Sequence, residues 1–431
     1  MSSTLRTRTV PVPEPDLTPD EMVARAVALQ PQLRAEQDET EKRGVHSPEI
    51  HEEFKKAGFY RCMQPRRYGG YEFDITTYYR VAMELARGCP STAWCLAVGG
   101  GHTLMLGSYF EDDAQAAGFG PEGEFSAPSV AAPQGTATPT DEGWFVKGQW
   151  GYASGAPYST HFMPAVMIPS GDDKPPLPGI ALIPRSQWEM LDDWGAILGM
   201  KGSGSNSIRV EGANLPRSHV VQIDMTDIDV AEGTPGSRLH DNGMYAGRSM
   251  SFFHGELVSI MVGLGYAALD EYEEIIRTKK TLVAPIMPRY MRHDYQRYLG
   301  LALGMLNAAK RLCIHGGDVY MDYCRRGHEG GEPFTLEEDI ELMASFEHAG
   351  RMVWEVVEML FRTASSGAAR DGQKMQRYYR DMSIYRGHVS AQYDNVAEML
   401  GRIHLGVGQG IKTSDRAALY NPDVSKDGGK A

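Results

Sequence analysis

Cysteine is scarce in this 431-residue chain: five residues (Cys62, Cys89, Cys95, Cys313, Cys324), none in a CxxC pair and odd in number. That usage excludes a disulfide framework and a cysteine zinc site, and it points to a reducing cytoplasm. Positive charge is also short, with 43 Lys and Arg against 56 Asp and Glu and a net charge of −13. Nucleic-acid binding needs clustered cations on phosphates, so no nucleic-acid partner is expected. No run of about 18 apolar residues occurs, and the first residues lack the apolar core of a secretory signal, so no membrane association is expected. No GxGxxG follows a strand pattern, which argues against a nicotinamide site in the chain. His240, His254, His293, His315, His328 and His348 form neither HExxH nor an i, i+4 pair, and no metal is expected.

What is present is enough apolar material (42%) for two or three cores. Residues 1–17, rich in Thr, Pro and Val, read as an extended arm, either disordered or wrapped on a neighbouring subunit. Residues 18–125 are helical, with Thr18 a good N-cap and Ser47-Pro48 a second start. The stretch from Asp74 to Phe110 is nearly all apolar or small and must be buried on most sides. Residues 126–235 change to short alternating runs broken by Gly, Pro, Asn and Asp, the texture of a small antiparallel barrel or sandwich. Residues 236–431 carry four long helical patterns, as in a four-helix bundle with a tail. In the last, Met375, Tyr378, Met382, Tyr385, Val389, Tyr393, Val396, Leu400 and Ile403 recur at steps of three and four, predicting one continuous helix with one apolar stripe.

Four segments then occur in a telling order: PRRYGG (Pro65 to Gly70), GQWGYASGA (Gly148 to Ala156), WGAILGMKGSGSNSIRVEGANLP (Trp194 to Pro216) and RYYRDMSIYRGHV (Arg377 to Val389). Together with the order helices, strands, bundle, they resemble the acyl-CoA dehydrogenase superfamily from about Leu17 to Gly406. The resemblance implies an α+β multidomain fold: an N-terminal helical domain, a central antiparallel β domain and a C-terminal four-helix bundle. Dehydrogenases of the family take the α-proton of a thioester with a carboxylate in a segment like RDxxIYxIYEGT. Here Val389 stands where that Glu would be, and valine cannot accept a proton. Arg377, Asp381 and His388 fall within about 40° on a continuous helix. The RD-x6-H run is similar to flavin-dependent hydroxylases and sulfur oxygenases of the same fold.

In those relatives reduced FMN or FAD, supplied by a separate NAD(P)H-dependent flavin reductase, reacts with O₂ to give a C4a-hydroperoxyflavin, so the cofactor carries the difficult chemistry. The resemblance therefore implies the oxygenase component of a two-component monooxygenase that hydroxylates a small aromatic, phenolic substrate, and a homotetramer. It makes His102, after Gly99-Gly100-Gly101, and His388 the catalytic histidines. Taken alone, His102 is as readily a satisfied core histidine. Ser154 is expected near the flavin N5, where a short hydroxyl protects the oxygenated cofactor; the plainer account is a Ser-Gly turn. Trp150, Ser203, Gly204 and Arg380 are expected along the flavin, Arg277 and Gln296 at its phosphate, and Ser129, with Ser126 as neighbour, at the substrate. A solvated helix end is the plainer account of Arg277. The rival readings are an FAD-dependent acyl-CoA dehydrogenase or oxidase with a displaced base, and a flavin or CoA binder without activity.

Overall fold

The computed structural model describes residues 9–171 and 174–407. The N-terminal part comprises α1 (Pro19–Ala35), α2 (Gln37–Arg43), α3 (Pro48–Ala57), α4 (Ile75–Gly88), α5 (Pro90–Tyr109) and α6 (Asp112–Phe119). Local chemistry sets the starts. Thr18 and Glu21 form a reciprocal capping box on α1, Ser47 caps α3 ahead of Pro48, and the Asp74 carboxylate caps α4. Within the arm, Val10 pairs with Tyr68, and Glu14 holds Arg25, so residues 9–17 lie on the chain's own helical domain. Residues 1–8 of the expected arm, and the tail from 408, lie outside the described residues.

Nine strands follow among the described residues: β1 (Gly135–Pro139), β2 (Gly143–Trp150), β3 (His161–Phe162), β4 (Ala165–Ile168), β5 (Leu177–Ala181), β6 (Ile183–Pro184), β7 (Glu189–Met190), β8 (Ile208–Pro216) and β9 (Val220–Gln222). Seven of them form one sheet in the order β7-β8-β2-β1-β4-β5-β9, and β3 pairs with β6. The sheet is antiparallel apart from β1 and β4, which run parallel. Its core holds Trp150, Phe162, Ile183 and Val210, separate from the main core.

The helical remainder consists of α7 (Pro235–His240), α8 (Met250–Thr278), α9 (His293–His328), α10 (Leu336–Ala364), α11 (Lys374–Tyr385) and α12 (Tyr393–His404). α8 is apolar because it is surrounded: it packs on α4, α9 and α10 at once, and the N-terminal helices share one continuous core with the bundle. The expected single last helix is in fact two. α11 stops at Tyr385, Arg386 to His388 turn, and Val389–Ala391 form a short 3₁₀ turn before α12. Gly387 weakens the helix there, and His388 caps the next turn by accepting from the Ser390 N–H at 3.2 Å. Hence His388 does not share a helical stripe with Arg377 and Asp381, and Val389 is 65% exposed rather than part of the apolar seam.

α11 clamps the three parts together. Arg377 is buried and bonds Gln37, Asp38 and Glu41 of α2, while Arg380 donates to the Leu198 carbonyl at 2.7 Å and pairs with Glu41. The buried Asp381 carboxylate accepts from the Met200 N–H, and burial pushes its pKa up to about 6 despite that bond.

Candidate active site at the domain junction

The site grows from α5, which is buried along almost its whole length. Its Cys95 and Gly99 face meets the turn after β2. Gly155 has φ +83°, and a Cβ there would come within 2.8 Å of the Cys95 carbonyl, so only glycine lets the turn lie so close. The turn is pinned from the other side, where the Gly155 N–H donates to the Ser203 carbonyl at 3.1 Å. This close docking lines up a polar chain. Trp94 Nε1 donates to Ser154 Oγ at 3.0 Å, Ser154 Oγ lies 2.8 Å from Ser205 Oγ, and Ser205 Oγ lies 2.7 Å from Ser203 Oγ. All three serines are buried. The Trp94 indole also meets the His388 ring edge-on at 5.5 Å.

His102 sits two turns further along α5. Its Nδ1 is 2.9 Å from the Ala127 carbonyl, and its ring packs 5.1 Å from that of Phe253. A carbonyl only accepts, so Nδ1 carries the proton and Nε2 of the neutral ring is left with a lone pair. His388 is the opposite case. Its Nδ1 accepts from a backbone N–H, so Nδ1 is bare and the neutral ring carries its proton on Nε2. The junction thus offers one imidazole acceptor and one imidazole donor. Phe253 and His254 are successive on α8: Phe253 packs on His102, and His254 Nδ1 lies 2.8 Å from Glu347 Oε1, with both His254 and Glu347 buried. The Tyr385 hydroxyl, also buried, has no hydrogen-bond partner among the described residues.

Burial keeps these rings neutral. The pKa of His102 is pushed down to about 4, against the opposing Ala127 and Val98 carbonyls, and that of His388 to about 4, with His254 adding to the effect. His46, enclosed beside Tyr158, is pushed down to about 3 by burial. The unfolded chain binds protons at these groups near 6.5 and the fold does not, so stability is lost as pH falls below 6.5. Each of the three contributes a loss of up to about 1.4 kcal/mol per pH unit until its folded pKa is reached. Burial raises the carboxyls of Asp381, Asp339, Glu72 and Glu256, which works in the other direction, but it also lowers His51, His161, His219 and His240, so seven histidines stand against four carboxyls. Thermal melts are therefore expected to show a falling Tm from pH 7 to pH 5; a flat or rising Tm would mean that these rings are not held neutral.

The other expected site residues make contacts of their own. Strand alternation turns Trp150 into the β core, fully buried, with Nε1 donating to the Ala165 carbonyl. Arg277 pairs with Glu273 on the exposed end of α8, about 34 Å by helical rise from His254. Gln296 Nε2 donates to the Tyr290 carbonyl at the exposed start of α9. Arg380 is committed to Leu198 and Glu41, and Ser129 lies half-buried two residues beyond Ala127. Ser126 Oγ donates to the Tyr158 carbonyl. Conversely Trp94, Phe253, His254, Glu347 and Tyr385 were not singled out by their sequence setting. His254 and Glu347 carry no local signal, because 93 residues separate the partners.

The residues present suit a flavin. Beside the serine chain, Tyr152 is 70% exposed with its ring 5.7 Å from Trp194, and its φ of 60° is a conformation that costs a non-glycine residue energy. The Tyr152 and Trp194 rings thus adjoin the serine chain, since the Ser154 N–H donates to the Tyr152 carbonyl, and apolar faces next to hydroxyl donors and acceptors are the combination a planar, polar-edged ring requires.

Residues 20–117 match the acyl-CoA dehydrogenase N-terminal domain and residues 257–393 the acyl-CoA dehydrogenase C-terminal domain, together more than half of the chain. Among curated proteins, the chain is 26% identical to the flavin-dependent monooxygenase oxygenase subunit HsaA of Rhodococcus jostii, over 89% of this chain and 98% of that protein. It is 22% identical to the oxygenase component of p-hydroxyphenylacetate 3-hydroxylase of Acinetobacter baumannii, over 91% of each. Its fold superposes on the crystal structure of the HsaA monooxygenase from Mycobacterium tuberculosis with a TM-score of 0.81 at 22% identity, covering 92% of this chain and 99% of that one. On XiaF from Streptomyces in complex with FADH2 and glycerol the TM-score is 0.82 at 20% identity, covering 91% and 97%. The chain, with its three-part fold, belongs to the acyl-CoA dehydrogenase family.

Proposed function

We propose that the protein is the oxygenase component of a two-component flavin-dependent monooxygenase that hydroxylates a phenolic aromatic. The observation that carries this reading is His102: a buried, neutral imidazole anchored through Nδ1–H, with a lone pair on Nε2 at the domain junction. The names of the relatives, among them a resorcinol hydroxylase of Rhizobium, support it. A thioester dehydrogenase would need a carboxylate where Val389 offers none.

Reduced flavin, delivered by a separate NAD(P)H-dependent reductase, supplies the two electrons with which O₂ is split between product and water. The chain's own residues do the rest. His102 Nε2 accepts the hydrogen bond of the substrate hydroxyl and draws its proton as the ring carbon beside the oxygen is attacked, making that carbon more nucleophilic. A free phenol is a weak acid and His102 a weak base, so the transfer becomes favourable only through the ion pair it creates in a dry pocket. His388 donates from Nε2, and Ser154, held by Trp94 and Ser205, would offer its hydroxyl to a bound flavin, which the turn at Ser203 and Gly204 would help to hold. Ser129 borders the substrate.

Replacing Ser154 by alanine is expected to increase by several-fold the share of reduced flavin that ends as H₂O₂ without product. Coupling is read as product formed per O₂ consumed, and an unchanged ratio would make Ser154 a turn residue only.

A homotetramer is part of the proposal. Leu282, Val283, Ile286, Tyr290, Met291 and Leu301 are exposed around the α8 to α9 connection, a patch suited to a neighbouring copy. Arg277 and Gln296 flank that patch, so any flavin phosphate they hold belongs to a neighbour's junction. The test of the function is a product screen with the purified protein, a generic flavin reductase, NADH and a panel of phenols. A mass gain of one oxygen on a phenol supports it; NADH consumption with H₂O₂ as the sole product across the panel counts against it.

A further inference from the structure

Three glycines precede His102 on α5, and packing explains two of them. A Cβ on Gly100 would stand 2.7 Å from the Tyr78 hydroxyl, and one on Gly101 would overlap the buried Glu256 carboxyl. Gly99 is different. It is buried, yet a Cβ there would meet no atom of the described residues within 4 Å beyond the adjacent backbone of α5, and its φ is not left-handed. Glycine is the poorest helix former after proline, so neither space nor backbone conformation accounts for its presence in the middle of α5.

The space beside Gly99 has chemistry around it. The Gly99 carbonyl accepts from the Ala127 N–H at 2.8 Å, and the Ala127 carbonyl in turn anchors His102, so Gly99 and the His102 ring share one wall. His102 and Thr103 follow Gly99 by three and four residues and lie on the same face. The Thr103 hydroxyl is wholly buried with no hydrogen-bond partner among the described residues, an orphan that a ligand or a water would satisfy.

We infer that the open space beside Gly99 receives the second ring of a two-ring phenol whose hydroxyl is held by His102, and that Gly99 sets the largest substrate admitted. The inference rests on the hydroxylase reading for the role of His102, and it adds the substrate class.

Calorimetric titration of the full chain with phenol and with 2-naphthol tests it, on the parent protein and on Gly99→Ala and Gly99→Leu. Gly99→Ala should raise the Tm by about 1 to 2 °C, because alanine is the better helix former and meets no atom. The same variant should weaken 2-naphthol by about tenfold while phenol changes by less than about threefold, and Gly99→Leu should weaken 2-naphthol by about a hundredfold. Unchanged 2-naphthol affinity in Gly99→Ala, equal weakening of both probes, or a parent that binds neither would overturn the inference. Product analysis on the same proteins separates it from the function. A parent whose 2-naphthol binding is lost in the variants but which oxygenates nothing refutes the hydroxylase alone. A parent that oxygenates both probes, with variants of unchanged preference, refutes the role of Gly99 alone.

Discussion

Alanine at His102 is expected to lower the rate of hydroxylation by about 10² to 10⁴, the usual worth of a positioned general base. The fold should survive, because the ring gives up one hydrogen bond to the Ala127 carbonyl. His102→Asn is the informative partner: its amide N–H can replace the Nδ1–H donor to Ala127, but it brings no base, so it should keep the thermal stability and still lose the rate. A phenol already ionised at neutral pH should be far less sensitive to either substitution, since it needs no proton removed. His388 answers to a different chemistry, that of a donor, so His388→Ala should lower product yield for ionised and neutral phenols alike. Rapid-quench product analysis checks these outcomes. A near-normal yield in His102→Ala would reduce His102 to a packing residue.

Gly199→Ala is expected to open the junction from a distance. A methyl at Gly199 would overlap the Arg380 carbonyl and crowd the Asp381 N–H, and backbone cannot swing aside as a side chain can. Relief requires the loop before Met200 to move off α11, which also breaks the bond from Met200 N–H to buried Asp381. Overpacking of this kind costs about 1–3 kcal/mol, and a buried carboxylate stripped of its donor adds a similar cost. The loop runs into Ser203 and Ser205, so the loss should appear twice: as a lower Tm and as reduced-flavin affinity weakened by about tenfold. Anaerobic flavin titration alongside thermal melting measures both. An unaltered affinity with a lower Tm would place the flavin away from this loop.

Much of the architecture was legible because its signals are local. The caps Thr18 and Ser47, the strand texture and the apolar helices needed no knowledge of distant contacts. The break at Gly387 was not legible, since the steps of three and four remain in phase across it and only the His388 cap reveals the turn. Trp150 illustrates a different limit. The motif around it resembles a flavin-contacting strand, but alternation along β2 sends its ring to the sheet core and leaves Ser154, past the strand end, to face the junction. The positions of the paired groups lay beyond reach for a simpler reason. Trp94 and Ser154 are 60 residues apart, and Met200 and Asp381 are 181 apart, so their meeting is a property of the domain arrangement rather than of either segment.

The proposed activity places one atom of O₂ on a phenolic ring. It is tested most directly by turnover under ¹⁸O₂ in ordinary water, with reduced flavin supplied enzymatically and the product analysed by mass. The expected product is a phenol heavier by one ¹⁸O atom, with the label in the new hydroxyl. Product oxygen drawn from water, or no oxygenated product while an acyl-CoA is desaturated, would contradict it.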